Sequence, residues 1–199
     1  MQIVMKPFEN ELTRQIDQCT HCEPALELGA KPIYVVHPQA RIALISQAPG
    51  RKAHLSGTAW DDASGERLRQ WLGTEWDTFY NPVNFAVVPM GFCYPGRGKS
   101  GDLPPRKECA PIWHDPVLRL MPNIQLFILI GQYAQRSYLS KKCYRTLTAT
   151  VEHYSEYLPL YWPLPHPSPI NTGWRRRNPW FEAEVVPALQ SKIQQVLRT

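Results

Sequence analysis

The residue types best suited to chemistry in this chain are its cysteines. Cys19 and Cys22 form a C-x2-C pair near the start, and Cys93 and Cys109 follow in a stretch rich in proline and glycine. Two thiols at that spacing can hold one metal centre without strain, and a loop can bring in the other two. Four thiolates suit zinc or an iron–sulfur cluster equally, so the spacing leaves that choice open. Cys143 has no partner in the pattern and reads as a small packed or surface residue. The remaining reactive groups sit in three short runs: Gln47-Ala48-Pro49-Gly50, Asp62-Ala63-Ser64-Gly65 and His166-Pro167-Ser168-Pro169. An imidazole can give or take a proton near neutrality, and a carboxylate can stabilise a developing cation. Asp62 has a second reading, because Asp61, Asp62 or Ser64 can cap the helical stretch that follows.

Such runs need elements to position them. Ile42–Ile45, Phe85–Val88 and Leu126–Ile130 are short, apolar and rich in branched or aromatic residues, as strands covered on both faces are. Tyr157–Leu164 is a fourth candidate, which Pro159 and Pro163 make an edge strand or an irregular piece. Helical spacing of apolar residues runs over Ser64–Leu72, Tyr133–Leu139 and Glu182–Leu197. Strand–helix alternation predicts an α/β fold, a three-layer α/β/α arrangement around a central, mostly parallel four-stranded sheet. In such folds ligands bind beyond the carboxyl ends of the strands. Gln47–Gly50, Pro89–Pro95, Gly131-Gln132-Tyr133 and His166–Pro169 each follow one of the four strands.

Composition narrows the classes further. A chain of 199 residues, 43% hydrophobic and 20% charged, has the makings of one packed domain over residues 1–199 and not of a disordered protein. Its 20 prolines argue against long bundled helices or a coiled coil. The 22 Lys+Arg against 17 Asp+Glu give a net charge of +5, which permits a polyanionic partner. Two basic stretches stand out, Arg97-Gly98-Lys99 and Trp174-Arg175-Arg176-Arg177, readable as solvated turns or as phosphate contacts. No apolar run is long enough to span a membrane, and Met1–Pro7 has no export-signal pattern. With an odd number of cysteines, the expected setting is cytoplasmic.

Taken in order, these runs resemble the uracil-DNA glycosylase superfamily, most closely its iron–sulfur, family-four branch. Cys19, Cys22, Cys93 and Cys109 follow the order of that branch's four cluster ligands, Ile45–Gly50 is similar to its first motif, and His166-Pro167-Ser168 to its last. The resemblance implies a structural [4Fe–4S] cluster on those four cysteines, with zinc as second choice. It also implies base-binding roles for Gln47, Ala48, Pro49, Gly50, Trp60, Ser168 and Asn171, with Trp60 as the stacking aromatic. Two positions depart from the pattern. Gln47 stands where the branch has an acid, and Pro89 stands where an asparagine reads the uracil edge; proline offers neither an amide side chain nor an N–H. Asp62-Ala63-Ser64-Gly65 is similar to the D-x-S-G block of family five, in which the Asp is catalytic.

The implied activity is hydrolytic excision of a damaged or deaminated base, uracil or a relative, from DNA. Asp62 and His166 are the expected catalytic pair. Arg97, Lys99, Arg175, Arg176 and Arg177 are the expected DNA contacts, on a monomeric chain with no membrane partner. Gln47 and Pro89 also support an alternative, a nucleic-acid-binding member that has lost base excision. A third reading keeps an enzyme and moves it to a free nucleoside or an RNA base.

Overall fold

The computed structural model describes residues 8–99 and 101–198. The Met1–Pro7 segment read above for an export signal lies outside the described residues. The first half of the chain forms α1 (Glu11–Asp17), β1 (Ile42–Ile45), α2 (Arg51–Ser56), α3 (Ala63–Leu72), α4 (Trp76–Phe79) and β2 (Phe85–Val87). A small hairpin follows, β3 (Arg97–Gly98) with β4 (Gly101–Asp102), then α5 (Cys109–Leu120), β5 (Leu126–Ile130) and α6 (Gln132–Leu139). The chain continues through α7 (Leu147–Glu152), β6 (Tyr161–Leu164), α8 (Thr172–Arg177) and α9 (Val186–Arg198).

The central sheet has the order β2-β1-β5-β6, and every pairing is parallel. Successive strand side chains point to opposite faces, and the two faces carry separate cores. Ile42, Leu44, Phe85, Val87, Ile128 and Trp162 pack with Leu68 and Leu72 of α3 and with Leu189 and Ile193 of α9. Ala43, Ile45, Ala86 and Leu129 pack on the other side with Ile16 of α1, Val117 of α5 and Ala134 of α6. Helices on both faces of a parallel sheet make the expected three-layer architecture. Burial on both faces explains why β1 reads as an unbroken apolar run.

The structure departs from the expected element bounds in places that have local causes. β6 begins at Tyr161, because Tyr154–Tyr157 winds into a 3-10 turn and Pro159 follows it. Pro163 is tolerated because β6 ends the sheet order, leaving no ladder bond on its outer side. The C-terminal helix starts at Val186, after a wide π-turn over Phe181–Val185. Helix α5 is hidden in the sequence by its prolines. Pro111 falls in the first turn, where a missing N–H costs nothing, and Pro116 lies further in. Among the described residues no helix is long and apolar enough to cross a membrane.

Candidate active site

The loops after β1, β2 and β6 meet around a cleft of about 290 Å³. Ala48, Pro49 and Gly50 line it from the β1 loop, Trp60 and Asp62 from the segment before α3, and His166 and Ser168 from the loop after β6. Pro89 also lines the cleft and presents only its ring and backbone. Its carbonyl accepts a 2.9 Å hydrogen bond at Nε2 of the buried His114, whose Nδ1 lies 2.7 Å from the Tyr138 hydroxyl.

The Asp62-Ala63-Ser64-Gly65 block explains itself locally. Asp62 is the N-cap of α3, and its Oδ1 accepts a 2.9 Å bond from the Gly65 N–H. The capping reading is therefore realised, and the same residue still borders the cleft. Gly65 must be glycine, because a Cβ there would overlap the Trp60 carbonyl oxygen. Trp60 has φ +60°, a left-handed conformation that a bulky residue rarely adopts. The Arg69 guanidinium holds that turn by donating to the Trp60 carbonyl at 3.2 Å. The turn carries the Trp60 ring to 5.8 Å from the His166 ring, centroid to centroid. Strain of this kind persists only where the surroundings enforce it, and it concentrates at functional sites.

His166 is oriented from two sides. The Ser168 N–H donates to its Nδ1 at 3.2 Å, and the Asn171 amide donates to its carbonyl at 2.8 Å. An acceptor at Nδ1 leaves the proton on Nε2, so the neutral ring is a hydrogen-bond donor. Burial lowers its pKa, and the nearby Asp62 charge opposes that shift. His54 and His114 are lowered by burial as well. These rings fold neutral, whereas the unfolded chain takes up protons near the ordinary value of 6.5. Their contribution to stability is thus present above that value and is lost as the pH falls below it. Thermal melts should show Tm dropping between about pH 7 and about pH 5, with a shallower slope in His114→Gln.

Not every expected residue faces this cleft. Gln47 donates its amide to the Leu103 carbonyl at 2.9 Å and, with Asn171, lines an adjoining cleft that shares His166. Arg97 borders the main cleft, and Lys99 is exposed at the hairpin turn. Arg175 is committed elsewhere: it pairs with Glu182 at 3.0 Å, donates to Thr172 Oγ1 at 3.0 Å, and is only 11% exposed. Arg176 and Arg177 are exposed at the end of α8. The structure adds Arg51, Lys52 and Asp102 to the cleft. Nothing in the sequence pattern singles out Asp102, which reaches the site through a hairpin with two residues in each strand.

The second feature lies apart from this cleft. Cys19, Cys22, Cys93 and Cys109 line one small, largely apolar cavity together with Phe92 and Arg106. Burial pushes the Cys93 thiol up to about 11 and the Cys109 thiol up to about 12. The Phe92 N–H donates to Cys109 Sγ at 3.3 Å. Arg106 acts to lower the Cys22 thiol against burial, and its buried Nε has no partner. Among the described residues no three His, Cys, Asp or Glu side chains converge tightly enough for a single ion. Cys143 stands outside this cavity, with its Sγ 3.6 Å from Thr150 Oγ1.

A parallel sheet flanked by helices, with a cleft at its strand ends, agrees with what a family comparison finds. The model of the Uracil DNA glycosylase superfamily matches residues 33–190. That span takes in the whole central sheet and every residue of the cleft, and the chain belongs to the Uracil DNA glycosylase superfamily.

Proposed function

We propose that this protein is a monofunctional DNA glycosylase that flips a damaged or deaminated base into the cleft and hydrolyses its glycosidic bond. The observation carrying this reading is the convergence of Trp60, Asp62 and His166, from two distant segments, on one cleft. Breaking the bond between the sugar C1′ and the base nitrogen puts positive charge on the sugar and negative charge on the base. A neutral His166 with its proton on Nε2 suits the second charge, because it donates to a base oxygen without having to lose a proton. Asp62 suits the first, since its Oδ1 is fixed in the helix cap and its other oxygen remains for the sugar. Trp60 offers the flat surface on which an extruded base stacks. With Pro89 at the strand end, recognition of the base edge falls to backbone groups and to the other side chains of the cleft. Arg97, Lys99, Arg176 and Arg177 supply positive charge for the DNA backbone.

The test is a panel of duplexes and single strands carrying uracil, hypoxanthine, xanthine or related lesions, scored for abasic product. At least one lesion should yield alkali-labile abasic sites. Tight DNA binding with no abasic product from any lesion would favour a binding protein and overturn the proposal.

The four-cysteine cavity suits a [4Fe–4S] cluster better than zinc. Ligands to a cluster sit on separate iron atoms, and four cysteines lining one cavity can supply them. The orphaned Arg106 N–H and the Phe92 N–H suit the anionic sulfur of such a centre. When bound, the cluster would tie the N-terminal pair to α5 and stabilise the fold, with no part in the hydrolysis. Anaerobically purified protein should be brown and contain about four irons per chain. A colourless preparation with stoichiometric zinc and no iron would reverse the choice. A monomeric chain working in the cytoplasm completes the reading.

A further inference from the structure

One carboxylate in the cleft remains without a role. Asp102 stands on β4, paired in register with Arg97 of β3. The hairpin is closed at its base by the Leu103 N–H, which donates to the Gly96 carbonyl at 2.9 Å. It is pinned to the loop after β1 by Gln47, whose amide donates to the Leu103 carbonyl, also at 2.9 Å. The result is that Asp102 lies over Gly50, its Oδ2 3.7 Å from where a Cβ on that residue would be. It lines the same cleft as Asp62, His166 and Trp60. The buried Tyr94 beside it acts to lower the pKa of the Asp102 carboxylate. Asp102 itself stays accessible to solvent, as a group that recruits water and returns protons to it must.

The position occupied by Gln47 is thus tied to the carboxylate the cleft receives. A neutral amide there anchors the hairpin, and the hairpin delivers an acid to the neighbouring backbone. An aspartate at position 47 would lack the N–H that binds Leu103.

We propose that Asp102 is the second catalytic carboxylate of this cleft and holds the water that attacks C1′, while Asp62 remains the fixed anion beside the sugar. The proposal rests on the base-excision reading above. The C1′–N bond breaks with its electron pair leaving on the base, and the water oxygen bonds to C1′. The water's proton passes to Asp102 and on to solvent, and the departing base takes up one proton from solvent. Two carboxylates in one site divide such work when their environments differ. Asp62 is tied into a helix N-terminus, whereas burial and the Asp62 charge raise the Asp102 pKa against the pull of Arg97 and Tyr94. A carboxylate raised in this way gains as a proton acceptor.

The experiment uses the full, cluster-replete protein and two uncleavable duplexes. One carries a cationic pyrrolidine at the abasic position, mimicking the charged sugar, and the other a neutral tetrahydrofuran. Wild type should prefer the cationic analogue by about 10²-fold, the lower end of what transition-state mimics gain. Asp102→Asn should lose about tenfold of that preference while binding the neutral duplex as before, and Asp102→Glu should regain part of it. Gln47→Ala, which frees the hairpin, should shift the preference in the same direction as Asp102→Asn. Two outcomes overturn the proposal: a wild type indifferent to the analogue's charge, or an Asp102→Asn variant with the full preference while Asp62→Asn abolishes it. Neither duplex is cleaved, so the result is independent of base release. A failure to release any base in the lesion panel would count against the proposed reaction and leave the placement of the Asp102 charge standing.

Discussion

Asp62→Asn should slow single-turnover base release by about 10²- to 10³-fold while leaving Tm nearly unchanged. The asymmetry follows from the two jobs the residue does. As N-cap of α3 it accepts the Gly65 N–H at 2.9 Å, and asparagine caps about as well as aspartate. As the anion bordering the cleft it stabilises positive charge on the sugar, which a neutral amide cannot do. Asp62→Ala removes both and should cost about 1 kcal/mol of stability in addition to the rate. If capping were the whole role, Asp62→Asn would cleave like wild type. A rate assay and a melt on the same two variants separate the possibilities.

Gly65→Ala should be the most damaging single methyl group in the molecule. The added Cβ would overlap the Trp60 carbonyl, a backbone atom that no rotamer change can clear. Overpacking a well-filled site usually costs about 1–3 kcal/mol. The upper end applies here, because Trp60 is already held at φ +60° and has little room to yield. Relief requires the turn to move, which carries the Trp60 ring away from His166 and opens the Asp62 cap. Urea denaturation should show a loss of about 3 kcal/mol, and any folded fraction should release base far more slowly. A variant with wild-type stability and rate would mean that the turn is softer than its contacts imply.

Much of this arrangement is legible in the amino-acid sequence, for identifiable reasons. β1 and β5 are visible because burial on both faces demands branched apolar residues without interruption. Helix α3 is visible because Leu68, Trp71 and Leu72 share a face behind a capping residue. The four cysteines are marked by their order, and they share one cavity. The features that stay hidden depend on contacts between distant positions. Gln47 is drawn to Leu103 by a bond that no local pattern announces. Arg175 looks like part of a phosphate-binding run until Glu182 claims it. The β3–β4 hairpin is too short for any periodicity, so Asp102 is invisible until the chain is folded. Prolines mislead in α5, where Pro111 falls in the first turn and Pro116 is accommodated inside the helix.

The most direct test of the central claim is mass spectrometry of a single-turnover reaction between the purified protein and lesion-bearing DNA, run beside Asp62→Asn. Hydrolytic excision predicts, from at least one lesion, an intact free base and a strand whose C1′ carries a hydroxyl, in equal amounts. Both should be strongly reduced with Asp62→Asn. Unchanged DNA from every lesion, or equal product from wild type and Asp62→Asn, would contradict the account.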